Sequence, residues 1–322
     1  MKVGIIGAGG VGAACLISLV ARGTTACKLI VVDKNAKLAQ GVVADLQYGA
    51  TLSPSVELHA GDYSDLADAT LAIITAGINE KSGGATDRSD PAGRLRLLDT
   101  NAGVYRDIIP RIVAVAPQAV LLVVTDPPDP LADLARQLAG HGRVLSSGTY
   151  LDSLRFRLHL ARRLKVSPAN VEAQVVGEHG TSQVFLWSSA RVAGTPIAAL
   201  LAQAHQAADT FRRDVEQDVR YANITIIEGT GASRLGIGMV TARVAEAMLR
   251  DEQAVIPIGS YQEKYGVTLS LPSVLGRRGV SQVFEPEMSA EERQALECSA
   301  GVLRAAVERM QGTVSRAGQK TG

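Results

Sequence analysis

Short runs that are apolar at every position alternate with longer amphipathic stretches through the first half of the chain. KVGIIG, KLIVVD, a run near VEL, LAIITAG, VLLVVTD and VLSS carry no regular polar alternation. A strand without a polar face is covered on both sides, as in a parallel sheet enclosed by helices. The segments between them supply such helices: one from about Val11, one over AKLAQGVVADL, one after the polar loop that follows LAIITAG, and one over LADLARQL. This alternation predicts an α/β domain with a doubly wound parallel sheet over residues 1–147.

Past residue 147 the rhythm changes. The spacing predicts a helix over YLDSLRFRLHLARRL, two strand-like runs flanking GEHG, and long helices from about Ala207 to Ile227 and from Leu235 to Arg250. Further strand-like segments lead to a closing helix from Ser289, and the tail SRAGQKTG reads as frayed. These elements predict an α+β substrate and catalytic domain over residues 148–322, with no internal repeat or low-complexity linker.

Composition narrows the classes of partner. With 322 residues, 46% of them hydrophobic, the chain can bury a core large enough for two domains. Lys plus Arg number 33 against 32 for Asp plus Glu, so no overall field exists to hold a nucleic acid or an anionic membrane. Cys15, Cys27 and Cys298 are odd in number and widely spaced, which argues for reduced thiols and a cytoplasmic setting. The start MKVGIIGAGGVGAACLISLV has the look of a leader ending at Cys15, but its glycines have another explanation. No other stretch is apolar for long enough to span a bilayer.

That explanation is the turn G-A-G-G-V-G, which places Gly7, Gly9 and Gly12 between a strand and a helix in the G-x-G-x-x-G spacing. Without Cβ atoms the backbone can turn tightly and a pyrophosphate can reach the N–H groups of the helix N-terminus. Asp33 closes the second strand, about 20 residues on, where a carboxylate accepts from the adenosine ribose hydroxyls. A carboxylate there repels a 2′-phosphate, so the expected cofactor is NAD rather than NADP, on a Rossmann-type sheet.

The chemistry-bearing residues lie in the second half. In T-Y-L-D-S-L-R-F-R, Asp152 and Arg155 fall three apart on one helical face, which by itself is equally an ion pair. GEHG adds His179, an imidazole between two glycines in a polar break, where it is presented rather than packed. No Cys/His cluster with metal-ligand spacing is visible, so no metal is expected.

GAGGVG, VVD, ADLQYG, TAG, RLRLLDTN, GTYLDSLRFR, VVGEHG, VFLWSSARVAGTPI and IIEGTGASRLGIGM together resemble the lactate/malate dehydrogenase family of NAD-dependent L-2-hydroxy acid dehydrogenases over nearly the whole length. GEHG, with Glu178, is closer to the lactate branch. The resemblance implies that His179 is the acid/base group, that Asp152 fixes its tautomer and stabilises the imidazolium, and that Arg155 takes the substrate carboxylate in a planar two-pronged contact. It implies also that Thr75, Ala76 and Gly77 border the cofactor and that Ser233 stands beside the substrate tail, where a threonine is usual. A homo-oligomer, dimer or tetramer, is expected on the same ground.

The resemblance further implies that the polar run GINEKSGGATDRSDPAGRLRLLDTN closes over substrate and brings an arginine to the developing alkoxide. The spacing from Arg94 to Asn101 matches the family, whereas Arg88 lies in DRSD, a string resembling the malate branch. Arg94 is therefore the catalytic candidate, and the loop is longer than usual, with Arg88 in the inserted part. Three positions depart from the pattern: Asp126 replaces the asparagine of Asn-Pro, Thr181 replaces the aspartate after GEHG, and Glu80 occupies the position that separates lactate-like from malate-like substrates. An amide donates to a keto oxygen and an ionised carboxylate does not, so Asp126 is protonated, turned to another group, or the mark of a different substrate. Glu80 argues against a dicarboxylic acid, since two facing carboxylates are disfavoured in a closed site, and with Asp126 it suits a polar or cationic substituent. Malate-like activity, with Arg88 meeting a second carboxylate, and an NAD-binding regulatory protein without turnover are the alternatives left open.

Overall fold

A computed structural model describes residues 1–23, 27–53, 55–78 and 97–318, with side chains as far as Gln311. The apolar runs of the first half form six strands, interleaved with helices as the alternation predicts. In chain order they are β1 (Lys2–Ile6), α1 (Gly10–Arg22), β2 (Cys27–Val32), α2 (Ala36–Ala50), β3 (Val56–Ala60), β4 (Leu71–Ile74), α3 (Leu98–Val115), β5 (Val120–Val123), α4 (Pro128–Ala139) and β6 (Val144–Ser146). All five pairings among these strands are parallel, in the order β3-β2-β1-β4-β5-β6. The order reverses between β1 and β4, and a crevice opens beyond the carboxyl ends of strands at such a reversal.

The second half runs through α5 (Tyr150–Leu164), the two-residue strands β7 (Val171–Glu172), β8 (Val175–Val176), β9 (Val184–Phe185), β10 (Arg191–Val192) and β11 (Thr195–Pro196), and helices α6 (Ile197–Gln203), α7 (Ala208–Arg220), α8 (Ala222–Thr230) and α9 (Leu235–Leu249). Strands β12 (Ala254–Gln262), β13 (Val267–Gly276) and β14 (Gly279–Val283) precede the closing helix α10 (Ala290–Gly318). Two expectations change. The helix expected from Ala207 to Ile227 is two helices, interrupted at Tyr221, whose ψ of 9° leaves the helical range. The closing helix extends to Gly318, into the tail read as frayed.

Strands β12 to β14 do not form a separate sheet. Gly259 of β12 pairs antiparallel with Ser146 of β6, so the meander extends the parallel sheet to nine strands. Helices of the second half also cover its faces. One apolar layer joins Val3, Ile5, Leu16, Leu29 and Val43 to Ala245 and Met248 of α9. The other joins Ile6, Ile30, Ile74, Ile109 and Leu131 to Ala306 and Met310 of α10. Each such valine, leucine, isoleucine or methionine side chain, fully buried, contributes about 1.5–3 kcal/mol relative to exposure. A third cluster, around Phe156 and Trp187 at 4.8 Å edge-to-face, holds α5 against β9 and α7.

Buried carboxylates stitch the two halves of the chain together. Glu246 of α9 accepts from Nε of Arg22, the last residue of α1, at 2.8 Å. Asp133 of α4 accepts from the Thr268 backbone N–H of β13 at 2.6 Å. These bonds are charge-assisted and both carboxylates are buried, so losing the donor leaves a buried acceptor unsatisfied.

Candidate active site

The crevice above β1 and β4 is bordered by the glycine turn. Gly7 sits at φ 106°, and a Cβ there would lie 2.7 Å from the Ala76 nitrogen, so the first glycine lets β1 and β4 end side by side. A Cβ on Gly12 would lie 1.9 Å from the Gly7 oxygen, so the third sets α1 tightly on the turn. Gly9 is different: a Cβ there would meet no protein atom within 4 Å, and the residue lines the cleft. Side-chain-free backbone facing open space at the start of α1, with no side-chain cap on its N–H groups, is a cradle that fits a pyrophosphate.

Asp33 follows β2 and is pinned by backbone donors, accepting from Ala8 at 2.7 Å with Oδ2 and from Asn35 at 2.8 Å with Oδ1. Each oxygen keeps a second acceptor site, which suits ribose hydroxyls. Thr75 donates to the Gly7 carbonyl at 2.9 Å and, with Gly77, lines the cleft, while Thr125 ties the Ala76 carbonyl at 2.8 Å. The buried Asn101 holds the floor, accepting from the Ile78 N–H and donating to the Asp126 carbonyl, both at 2.8 Å.

On the opposite wall, Asp152 stands in the first turn of α5 with only 2% of its surface exposed. One of its oxygens meets Nδ1 of His179 at 2.5 Å, and the other accepts from Nη1 of Arg155 at 3.0 Å. A single carboxylate thus orients both the imidazole and the guanidinium, and engaging Nδ1 makes Nε2 the nitrogen turned away from Asp152. His179 and Arg155 line the same cleft as Gly9, Thr75, Gly77, Asp126 and Ser233.

The GEHG segment is held from several sides. The Glu178 N–H donates to Ser299 Oγ of α10 at 2.9 Å, while the Glu178 carboxylate accepts from the Ser182 N–H at 3.0 Å. The Thr181 carbonyl accepts from the Arg220 guanidinium. The backbone N–H of His179 donates to Oδ2 of Asp129 at 2.7 Å. Burial pushes the Asp129 carboxyl up to about 6, against the lowering effects of its hydrogen bonds to Ser146 and His179.

Of the residues singled out in the sequence, Gly9, Thr75, Gly77, Asp126, Arg155, His179 and Ser233 line one cleft, with Asp152 behind them. Gly7, Gly12, Asp33 and Ala76 frame its glycine-turn side. Glu80, Arg88 and Arg94 lie outside the described residues. Three residues escape the sequence reading: Asn223 near the start of α8, which lines the cleft, Asn101 beneath it, and Asp129. Asn223 carries a weak signal, a lone amide among apolar positions of a helix, and Asp129 none, since an aspartate in DPPDP reads as turn chemistry.

Two family profiles match the chain, one described as the lactate/malate dehydrogenase NAD binding domain over residues 1–144 and one as the alpha/beta C-terminal domain over residues 149–314. An L-lactate dehydrogenase of Deinococcus radiodurans is 43% identical over 305 residues, covering 94% of this chain and 97% of that protein. One of Chloroherpeton thalassium is 41% identical, covering 95% and 99%. Among solved structures, MGS-M5, a lactate dehydrogenase enzyme from a Medee basin deep-sea metagenome library, superposes with a TM-score of 0.88 at 31% identity, covering 96% of this chain and 98% of that one. The minor L-lactate dehydrogenase from Enterococcus mundtii superposes with a TM-score of 0.87, also at 31% identity and over the same shares.

Proposed function

The chain belongs to the lactate/malate dehydrogenase family and is an NAD-dependent dehydrogenase of 2-hydroxy acids; from that premise we propose that it interconverts a lactate-like L-2-hydroxy acid and its 2-oxo acid, with His179 as the acid/base group. The observation that carries this reading is the bridging of His179 and Arg155 by one buried carboxylate inside the cleft that the glycine turn borders.

The roles follow from the chemistry of each group. The Arg155 guanidinium takes the substrate carboxylate on the edge not engaged by Asp152. That contact fixes the carbon next to the carboxylate near the imidazole, where His179 gives a proton to the keto oxygen in reduction and takes it back in oxidation. Asp152 holds the ring tautomer and stabilises the imidazolium. Gly7, Gly9, Gly12, Asp33, Thr75, Ala76 and Gly77 would hold the nicotinamide cofactor, which would supply the hydride as NADH and accept it as NAD⁺. Residues 1–147 carry these cofactor contacts and 148–322 the acid/base and carboxylate groups, and we propose that division as the domain organisation.

For the remainder of the substrate, Asp126, Ser233 and Asn223 give the cleft a polar wall. Arg94 is the proposed partner of the developing alkoxide, with Glu80 and Arg88 governing substrate choice, on the strength of their spacing in the sequence. Ile17 of α1 and Leu235 and Met239 of α9 are 55%, 68% and 63% exposed, an apolar surface that supports self-association into a homo-oligomer. No helix of the described residues is long and apolar enough to cross a membrane, and Cys15, Cys27 and Cys298, which form no disulfide, are consistent with the cytoplasm.

The test is NADH oxidation over pyruvate, longer and polar 2-oxo acids and oxaloacetate, with His179→Asn as the control. Pyruvate-like monocarboxylates are expected to lead. A lead for oxaloacetate would overturn the lactate-like preference, and NADH binding without turnover of any member would overturn the enzymatic roles.

A further inference from the structure

Asp129 is a second buried carboxylate, beside the GEHG loop, and the reaction gives it no direct part. It stands in the first turn of α4, 1% exposed. Oδ2 accepts from the backbone N–H of His179 at 2.7 Å, and Oδ1 accepts from the Ser146 hydroxyl at the end of β6. Ser146 pairs with Gly259 of β12. A Cβ on Gly259 would come within 1.9 Å of Ser146 Oγ and 2.9 Å of Asp129 Oδ1, so the strand approaches closely enough to enclose this pair. One carboxylate therefore joins α4, β6 and the GEHG loop at the residue whose imidazole faces the cleft.

Building on the proposed role of His179, we propose that Asp129 is a positioning residue, fixing the His179 backbone so that the imidazole meets Asp152 on one side and the 2-oxo acid on the other. Asp152 orients the ring through Nδ1, but it cannot fix where the backbone carrying that ring lies; the anchor from α4 does.

The anchor is costly to keep ionised, which distinguishes it from a bond that only adds stability. Burial raises the Asp129 carboxyl to about 6, the neighbouring Glu178 carboxylate adds to the rise, and the bonds from Ser146 and His179 and the charge of His179 oppose it. Asp133 and Arg136, a turn or two along α4, and Asp152 across the imidazole are the other charged groups nearby. The folded-state value lies above the ordinary one, so the folded protein holds this proton more tightly than the unfolded chain. Its contribution to stability accordingly falls as pH rises from about 4 to about 6. At neutral pH the chain keeps a carboxylate that an amide of the same shape would replace with less desolvation. Protonation also converts one acceptor oxygen into a donor, which cannot serve both the His179 N–H and the Ser146 hydroxyl as before.

The experiment compares full-length wild type, Asp129→Asn and Asp129→Ala in pyruvate reduction across pH, with kcat expressed per NADH-binding site counted by fluorescence titration, and with Tm at each pH. Wild type is expected to lose turnover below about pH 6, because protonating His179 itself favours reduction and another group must cause the loss. Asp129→Asn should lose that acid limb and match or exceed the wild-type Tm at neutral pH. Asp129→Ala should lose about 10- to 100-fold in kcat per site, the scale of a misplaced catalytic group, while KM for pyruvate changes by less than about threefold because Arg155 sits on α5. An acid limb unchanged in Asp129→Asn, or a kcat per site in Asp129→Ala within about twofold of wild type, would overturn the proposal even where wild type turns over. A wild type that binds NADH and reduces no 2-oxo acid would overturn the role of His179 and this proposal with it.

Discussion

The two walls of the cleft are built by opposite means. The wall proposed for the cofactor is backbone: a turn kept free of side chains at Gly9, closed by Gly7 and Gly12, and pinned to Asp33 by the Ala8 N–H. The wall proposed for the substrate is side chain: His179, Arg155 and Asp152 in contact and largely shielded from water. Backbone recognition tolerates any residue that leaves the path unchanged and fails on steric intrusion. Recognition by buried charge tolerates little change in chemistry even at constant volume, because each removed partner strands another. The same cleft should therefore respond to substitution in two distinguishable ways.

The largest departure is expected at Asp152. Asp152→Asn keeps the shape but removes the charge shared by His179 and Arg155, and kcat/KM for the 2-oxo acid should fall by about 10³-fold. NADH binding, followed by fluorescence, should change by less than about threefold, and a comparable loss there would mean the two walls are not separable. Gly12→Val is the steric counterpart. Its side chain enters the space of the Gly7 oxygen, and the dissociation constant for NADH should rise about 10- to 100-fold, an overpacking cost of about 1–3 kcal/mol. Binding unchanged in that variant would remove the glycine turn from the cofactor site.

A smaller effect is expected from Asp33→Ser, which should narrow the preference for NADH over NADPH by about tenfold, mostly through KM for NADPH. The smallest lies at Asn223. Asn223→Ala should alter the ranking of pyruvate against a 2-oxo acid with a polar substituent by a few-fold, about 1 kcal/mol, without changing NADH binding. A uniform loss for all substrates would assign Asn223 to folding instead.

The same contrast explains what could be read from the chain in advance. The glycine turn and the parallel strands are local: six apolar runs, most of them followed by a helix-period segment, reappear as β1 to β6. The helix bearing Asp152 and Arg155 was bounded by the sequence as Tyr150–Leu164, because its periodicity and its ends lie within one stretch. What depends on distant partners was not legible. The pairing of Gly259 with Ser146 joins strands more than a hundred residues apart, and no alternation within β12 specifies it. The anchoring of His179 by Asp129 combines a proline-rich helix start with a loop in the other half of the chain. The interruption at Tyr221, which leaves Asn223 lining the cleft, falls inside a stretch that the sequence reads as one helix.

If His179 transfers the proton in a cleft that binds NAD without its help, removing the imidazole spares cofactor binding and abolishes most turnover. Single-turnover oxidation of bound NADH by excess pyruvate, in wild type and His179→Asn, tests it. The variant is expected to bind NADH within about threefold of wild type and to oxidise it more slowly by about 10²- to 10⁴-fold. A variant that oxidises NADH within about tenfold of the wild-type rate would contradict it.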